Sequence, residues 1–252
     1  VFAFSKSFGS VQNVAQEIVY TIGVVQDNVI SFSGPEAGMT SLKGLWSAFF
    51  SNPVDAMSSF YNDYENALAV GTALDAKVQQ DSVKAAGQDY ATITTLSVRQ
   101  SFGALQFAGT KDEPYIFLKE ISSNSDIQTV DVIFPAFPIL LYLNTEWLKY
   151  LLEPLYVNQE NGHYPKDSAI HDLGTFPVAK GYPKGDDEAM PLEECGNMII
   201  MTLAYAQKKG DQGVAYLKQH YKLLAKWAEW LIKFSKIPDE QLSTDDFAGT
   251  LA

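Results

Sequence analysis

A mainly helical fold, in which short strands give way to paired long helices as in a toroid of helical hairpins, is what the sequence predicts. Three observations carry this. Up to about residue 33, Val, Ile, Phe and Tyr sit in short runs separated by turn residues, whereas further on apolar residues recur at spacings of three and four. The 252 residues are 46% hydrophobic and 13% aromatic, enough to bury a sizeable core. Two long polar stretches, 115–134 and 157–190, interrupt the helical pattern, and loops of that length in a compact domain usually carry function.

In chain order, Ile18 to Val25 and Val29 to Phe32 read as strands, and Ser33-Gly34-Pro35-Glu36-Ala37-Gly38 ends the pattern. Leu42, Leu45, Trp46 and Phe49 fall on one helical face. A longer helix follows from Pro53 to about Ala86, with Pro53 in the first turn, where its missing N–H costs nothing. Further helices are expected from Gln88 to about Ala108, from about Pro138 to Leu155, from Pro191 to Lys208 and from Val214 to Phe234. The last carries Leu217, Tyr221, Leu224, Trp227, Ala228 and Leu231 as one apolar stripe.

A net charge of −12 and a pI near 4.6 argue against nucleic acid and acidic membrane surfaces as partners, since both require clustered Lys and Arg. The longest apolar run, Val130 to Leu143, is interrupted by Asp131, Pro135 and Pro138 and falls short of the roughly 18 to 20 residues of a membrane span. The chain opens without Met inside a strand-like Val1-Phe2-Ala3-Phe4, so both ends read as cuts in a larger protein. The single cysteine, Cys195, excludes an internal disulfide, and with no His beside it in sequence it reads as a buried structural thiol. His163 and His171 lie too far apart for a helical metal pair and His220 reads as a packing residue, so neither metal nor cofactor is expected.

Four acidic clusters lie at loops or helix starts: Lys119-Glu120 with Asp131, His171-Asp172, Glu193-Glu194 and Asp245-Asp246. Paired carboxylates can divide the work of acid and base when their environments separate their pKa values, which suits glycoside hydrolysis and also water attack on an amide. Glu193 and Glu194 after Pro191, and Asp245 and Asp246 after Ser243-Thr244, also fit the first turn of a helix, where acids favour the macrodipole. His171-Asp172-Leu173-Gly174 sits in a long loop where no dipole accounts for it. Arg99, one of few arginines, reads either as a structural ion-pair partner or as a binder of a substrate carboxylate.

Five segments occur in order: Phe117-Leu118-Lys119-Glu120-Ile121-Ser122-Ser123, Thr129-Val130-Asp131-Val132, His171-Asp172-Leu173-Gly174-Thr175, Met190-Pro191-Leu192-Glu193-Glu194-Cys195-Gly196-Asn197-Met198 and Gln241-Leu242-Ser243-Thr244-Asp245-Asp246-Phe247-Ala248-Gly249. Together they resemble the fungal glutaminase A family. The resemblance implies a secreted or cell-wall-associated protein that hydrolyses L-glutamine to L-glutamate and ammonia. It also implies a β-sandwich region followed by an α/α toroid like that of six-hairpin glycosidases. On this view residues 1–35 close the sandwich and its linker, and 36–252 form the first part of the toroid. The rest of the polypeptide and a small-molecule substrate are then the partners. Asp172 and Glu194 are expected as base and acid with Asp245 as a third catalytic residue, and Lys119, Glu120, Asp131, His171, Glu193, Asn197, Asp246 and Arg99 as substrate-binding. The sequence departs from the family pattern at Gly181-Tyr182, where Gly-His is expected, and at Val24-Val25-Gln26-Asp27, where His-x-Arg-Asp is expected. Two alternatives stay open: a glycosidase on the same fold with Trp46, Trp147 or Tyr182 stacked on a sugar, and a non-catalytic binding protein.

Overall fold

The computed structural model describes residues 3–11, 13, 15–120 and 125–237. It is mainly helical, with eight α-helices and two small sheets among those residues. Strand β1 (Asn28–Phe32) is central in the first sheet, antiparallel to β2 (Thr40–Lys43) and parallel to the two-residue β5 (Val178–Ala179). Ile30 and Phe32 on β1 enter the hydrophobic core. Residues 15–27, expected to include a strand, have no regular secondary structure.

The helices begin with α1 (Pro53–Asn62), whose start is capped by Asn52 Oδ1 accepting from the Asp55 amide at 2.9 Å. Then α2 (Tyr64–Ala86) and α3 (Gln88–Ala104) pack together as a pair hinged at Gly87. β3 (Leu105–Gly109) and β4 (Pro114–Leu118) form an antiparallel hairpin, followed by α4 (Val130–Leu143), α5 (Thr145–Glu160), α6 (Pro191–Lys209), α7 (Asp211–Gln219) and α8 (Tyr221–Phe234). α5 packs on β4, while α6 contacts α4, α5, α7 and α8. No described helix is long and apolar enough to cross a membrane.

Several boundaries differ from the sequence reading, each for a local reason. Leu42 to Phe49 is not a helix but β2 and a single 3-10 turn: Gly44 separates them, and its amide donates to the Asp27 carbonyl while Trp46 Nε1 donates to the Gln26 carbonyl. The segment 53–86 is two helices meeting at Asp63. The helix from Gln88 stops at Ala104, because the alternating residues after it find a strand partner in β4. Where one helix was expected from Pro138, α4 starts eight residues earlier and runs through Pro135 and Pro138, burying Val130, Ile133 and Leu140. Tertiary burial of that apolar run outweighs the helix-breaking tendency of its prolines. The last helix is broken at His220, which is buried, stacks on Tyr156 with ring centroids 4.0 Å apart and bonds Glu160 Oε1 through Nδ1 at 2.8 Å.

One buried side chain joins the sheet layer to the helices. The amide and carbonyl of Leu118 and the carbonyl of Ile116 face away from β3 and would be orphaned in the core. Gln128 supplies them all: Oε1 accepts from the Leu118 amide at 2.6 Å, Nε2 donates to the Ile116 carbonyl at 3.2 Å, and its own amide donates to the Leu118 carbonyl at 3.0 Å. Nε2 also donates to the Leu151 carbonyl of α5 at 2.6 Å. Gln128 thus acts as a one-residue third strand. Replacing it with Ala should lower the stability of the full-length protein by about 2–4 kcal/mol, because several buried backbone groups lose their partners. Urea unfolding checks this, and a loss under about 1 kcal/mol would mean that water takes over those bonds.

Candidate active site

The segment His171 to Gly174 is pinned by backbone bonds to the stretch leading into α4. The Ile127 amide donates to the Gly174 carbonyl, the Leu173 amide to the Ile127 carbonyl and the Val130 amide to the His171 carbonyl, at 2.8, 2.9 and 2.8 Å. Gly174 has φ of 114°, and a Cβ there would meet the Val178 carbonyl at 2.8 Å, so only glycine fits the turn. Asp187 closes the loop from the other side, accepting from the Tyr164 hydroxyl, from Lys166 Nζ and from the His171 amide.

Three elements therefore meet at His171: the first turn of α4 with Asp131, the pinned loop with Asp172, and the start of α6, with Glu193 and Glu194 in its first turn and Asn197 in its second. His171 Nδ1 lies 2.8 Å from Asp172 Oδ2. Asp172 Oδ1 accepts from the Gly174 amide at 2.6 Å and from the Tyr182 hydroxyl at 2.8 Å. On the far side of the ring, Nε2 is 3.7 Å from Asp131 Oδ1 and 3.8 Å from Glu188 Oε2. Glu194 is fully buried. Its Oε2 is 3.4 Å from Asn197 Nδ2, and its Oε1 has no hydrogen-bond partner among the described residues.

This burial sets the protonation. Desolvation pushes the Glu194 carboxyl up to about 9, with Asp131 and Glu193 adding to the rise and His171 and Asn197 opposing it. Burial alone would lower the His171 imidazole, but the Asp172 hydrogen bond and the charges of Asp172 and Asp131, joined by Glu194 once it ionises, outweigh it and raise the group to about 9. At neutral pH the centre therefore holds an imidazolium flanked by carboxylates and beside a protonated acid. Asp126, which bridges to Thr175 next to the loop, is pushed up to about 6 by burial and by the charges of Asp172 and Glu120. Donor atoms of Asp131, His171 and Glu194 lie within 4.8 Å of one another. Such a set resembles a cation site in composition, but the proton on Glu194 competes with a metal for it.

The structure thus gathers Asp131, His171, Asp172 and Glu194, with Glu193 and Asn197 on their flank. Glu120 is joined to the cluster through Thr129, whose hydroxyl donates to Glu120 Oε2 at 3.1 Å. Lys119 points elsewhere, with Nζ 5.4 Å from the Phe176 ring centre. Arg99, exposed on α3, lines an open cleft with Lys119 and Glu120, and no hydrogen bond or ion pair joins it to the His171 cluster among the described residues. Asp245 and Asp246 lie outside the described residues. Sequence reasoning missed Asp126, Tyr164 and Asp187 and the rim position of Glu188, although the run Asp186-Asp187-Glu188 in a long loop was a visible signal. The aromatic candidates for a sugar platform are otherwise engaged: Trp147 is held edge-on by Phe102 and Phe107, Trp46 donates to a backbone carbonyl, and Tyr182 donates to Asp172.

Comparison with known proteins follows the same lines. Residues 87–252 match the family model described as the glutaminase A six helical-hairpin domain, and residues 1–81 match a domain of unknown function, DUF5127. The whole chain aligns at 54% identity with glutaminase A of Aspergillus oryzae and at 35% with a protein of Arthroderma benhamiae named "Probable glutaminase". The chain covers 36% of the length of each of these relatives.

Cys195 lies beside Glu194 but is no nucleophile. Burial pushes its thiol up to about 12, and its Sγ accepts from the Ala169 amide at 3.1 Å. In the full-length protein, alkylation of Cys195 at pH 8 should be at least about a hundredfold slower than in the urea-unfolded protein, because the thiolate is scarce and enclosed. Mass spectrometry of the labelled peptide reads this, and equal rates would show an accessible, ionising thiol.

Proposed function

The chain belongs to the glutaminase A family, and from that premise we propose that it carries part of the active site of an amidohydrolase that converts L-glutamine to L-glutamate and ammonia. The observation that carries this reading is the buried, protonated Glu194 beside the His171–Asp172 pair and Asp131. Amide hydrolysis needs a base for water and an acid for the departing nitrogen, because an amide anion is too poor a leaving group to depart unprotonated.

Asp172 is 2% exposed and both of its oxygens are engaged, so it has little room to receive a proton from water. Asp131 is more open, and its Oδ1 lies 3.7 Å from His171 Nε2. In the proposed sequence, water adds to the amide carbon as its proton passes to Asp131. Glu194 then gives its proton to the nitrogen as the C–N bond breaks and ammonia leaves. The proton on Asp131 finally returns to Glu194, so that water and amide become acid and ammonia. The role expected for Glu194 is kept, whereas water activation moves from Asp172 to Asp131.

The chain's length relative to its relatives supports reading it as one portion of the working enzyme. α1, α2 and α3 turn Met57, Phe60, Leu68, Leu74, Ile93 and other apolar side chains to solvent, and the remainder of the polypeptide is the occupant we assign to those faces. In the same reading, residues 1–35 end a strand-rich domain and 36–252 open the toroid. The extracellular setting rests on the resemblance alone.

The test is ammonia release from L-glutamine by the full-length protein. Glu194→Gln and Asp131→Asn should each lower kcat at least about a hundredfold, the loss typical of an acid or base. Parent activity should hold from neutral pH to about 9 and decline above it, as Glu194 loses the proton it donates. Cleavage of aryl glycosides without ammonia release would move the protein to the glycosidase reading.

A further inference from the structure

We propose that His171 is a catalytic electrophile whose Nε2–H polarises the carbonyl of the scissile amide, and that Asp172 and Tyr182 are positioning residues that aim it. The inference rests on the amide-hydrolysis reading above and assigns a role to the one cationic group at the centre of the cluster.

An imidazole presents to a site whichever nitrogen is left over from its structural bond, and here Nδ1 is the one committed. It lies 2.8 Å from Asp172 Oδ2. The second oxygen of that carboxylate takes the Gly174 amide and the Tyr182 hydroxyl at 2.6 and 2.8 Å, so Asp172 cannot rotate away without breaking all of these bonds. Tyr182 is placed by its neighbour: Gly181 has φ of 68°, and a Cβ there would fall 2.6 Å from Asn158 Oδ1 on α5, so the backbone is pressed against that helix. Burial and the Asp172 charge raise the Tyr182 phenol, which keeps it a donor.

Nε2 then projects between α4 and α6. The carboxylates facing it lie beyond hydrogen-bond reach, 3.7 Å away at Asp131 and 3.8 Å at Glu188, so the nitrogen has a donor direction with no hydrogen-bonded acceptor among the described residues. The ionisable groups around the ring are Asp131 from α4, Glu194 from α6, Glu188 and Asp187 from the loop before α6, Asp126 from the stretch before α4, and Asp172. Through this excess of acid the ring remains a cation, and a preorganised cationic donor in an enclosed site stabilises an oxyanion strongly. His171 transfers no proton. As the water oxygen bonds to the amide carbon, the carbonyl π electrons move to oxygen and Nε2–H bonds the resulting oxyanion. They return to the C–O bond when the C–N bond breaks.

Kinetics of the full-length protein on L-glutamine test this. His171→Gln should lower kcat roughly a hundred- to thousandfold with KM within about threefold, the pattern of an interaction made in the transition state. Tyr182→Phe should lower kcat roughly tenfold. Asp172→Asn should move the alkaline limb of the pH profile to lower pH, because the imidazolium loses the charge that holds it, a shift that a packing role would not produce. The double variant His171→Gln/Asp172→Asn should be no worse than His171→Gln alone. Losses that multiply in the double variant would make Asp172 an independent base and overturn the inference. So would an active parent whose His171→Gln variant keeps kcat within threefold. A parent inactive on glutamine would instead sink the amide reading, and the role of His171 with it.

Discussion

The site depends on a short run of backbone bonds, the ladder that ties 171–174 to 127–130. Asp131 follows one side of it and His171 and Asp172 lie on the other, so the relative placement of the acid and the imidazole is set by main-chain geometry. Gln128 extends the constraint by locking the same stretch to β4 and α5. A side chain on α6 can then approach a fixed target, and small shifts in surface loops leave the central distances unchanged. Such rigidity is what a catalytic centre needs, because misplacement by about 1 Å can cost a hundredfold in rate.

Electrostatics gives that rigid frame its chemistry. A buried carboxyl with no cation of its own keeps its proton, and an imidazole ringed by carboxylates keeps its charge. Glu194 and His171 lie side by side, and each influences the other: the imidazolium favours ionisation of Glu194, while burial and Asp131 oppose it and prevail. The outcome is a proton donor and a cationic donor side by side, at a helix start where two adjacent glutamates would ordinarily pass for favourable partners of the macrodipole.

The two domains matched by the family models also share structure. β1, from the N-terminal part, pairs with β5 from the loop that carries His171, and Phe32 packs edge-on against Phe117 of β4. The floor of the loop is thus built partly from residues remote in sequence, which couples β1 to the candidate site in the helical part.

By itself the sequence determined the helical class, because amphipathic spacing is a local property that survives whatever the helix packs against. It also marked Asp131, His171-Asp172 and Glu193-Glu194, by acids at helix starts and in a long loop, as candidates that the fold brings together. Tertiary structure alone decided where helices stopped, as at His220 and Ala104, since a buried stacking partner or an available strand overrides local preference. It also set the surroundings of the candidate acids. Asp172 and Glu194 are both acidic residues in acidic surroundings, and nothing in their sequence context separates one that anchors a histidine from one that keeps a proton. The difference lies in partners and burial: hydrogen bonds fill both oxygens of Asp172, while Glu194 is enclosed with one oxygen unbonded. Those partners range from the adjacent residue to one more than 60 positions away, and their convergence exists only once the chain is folded.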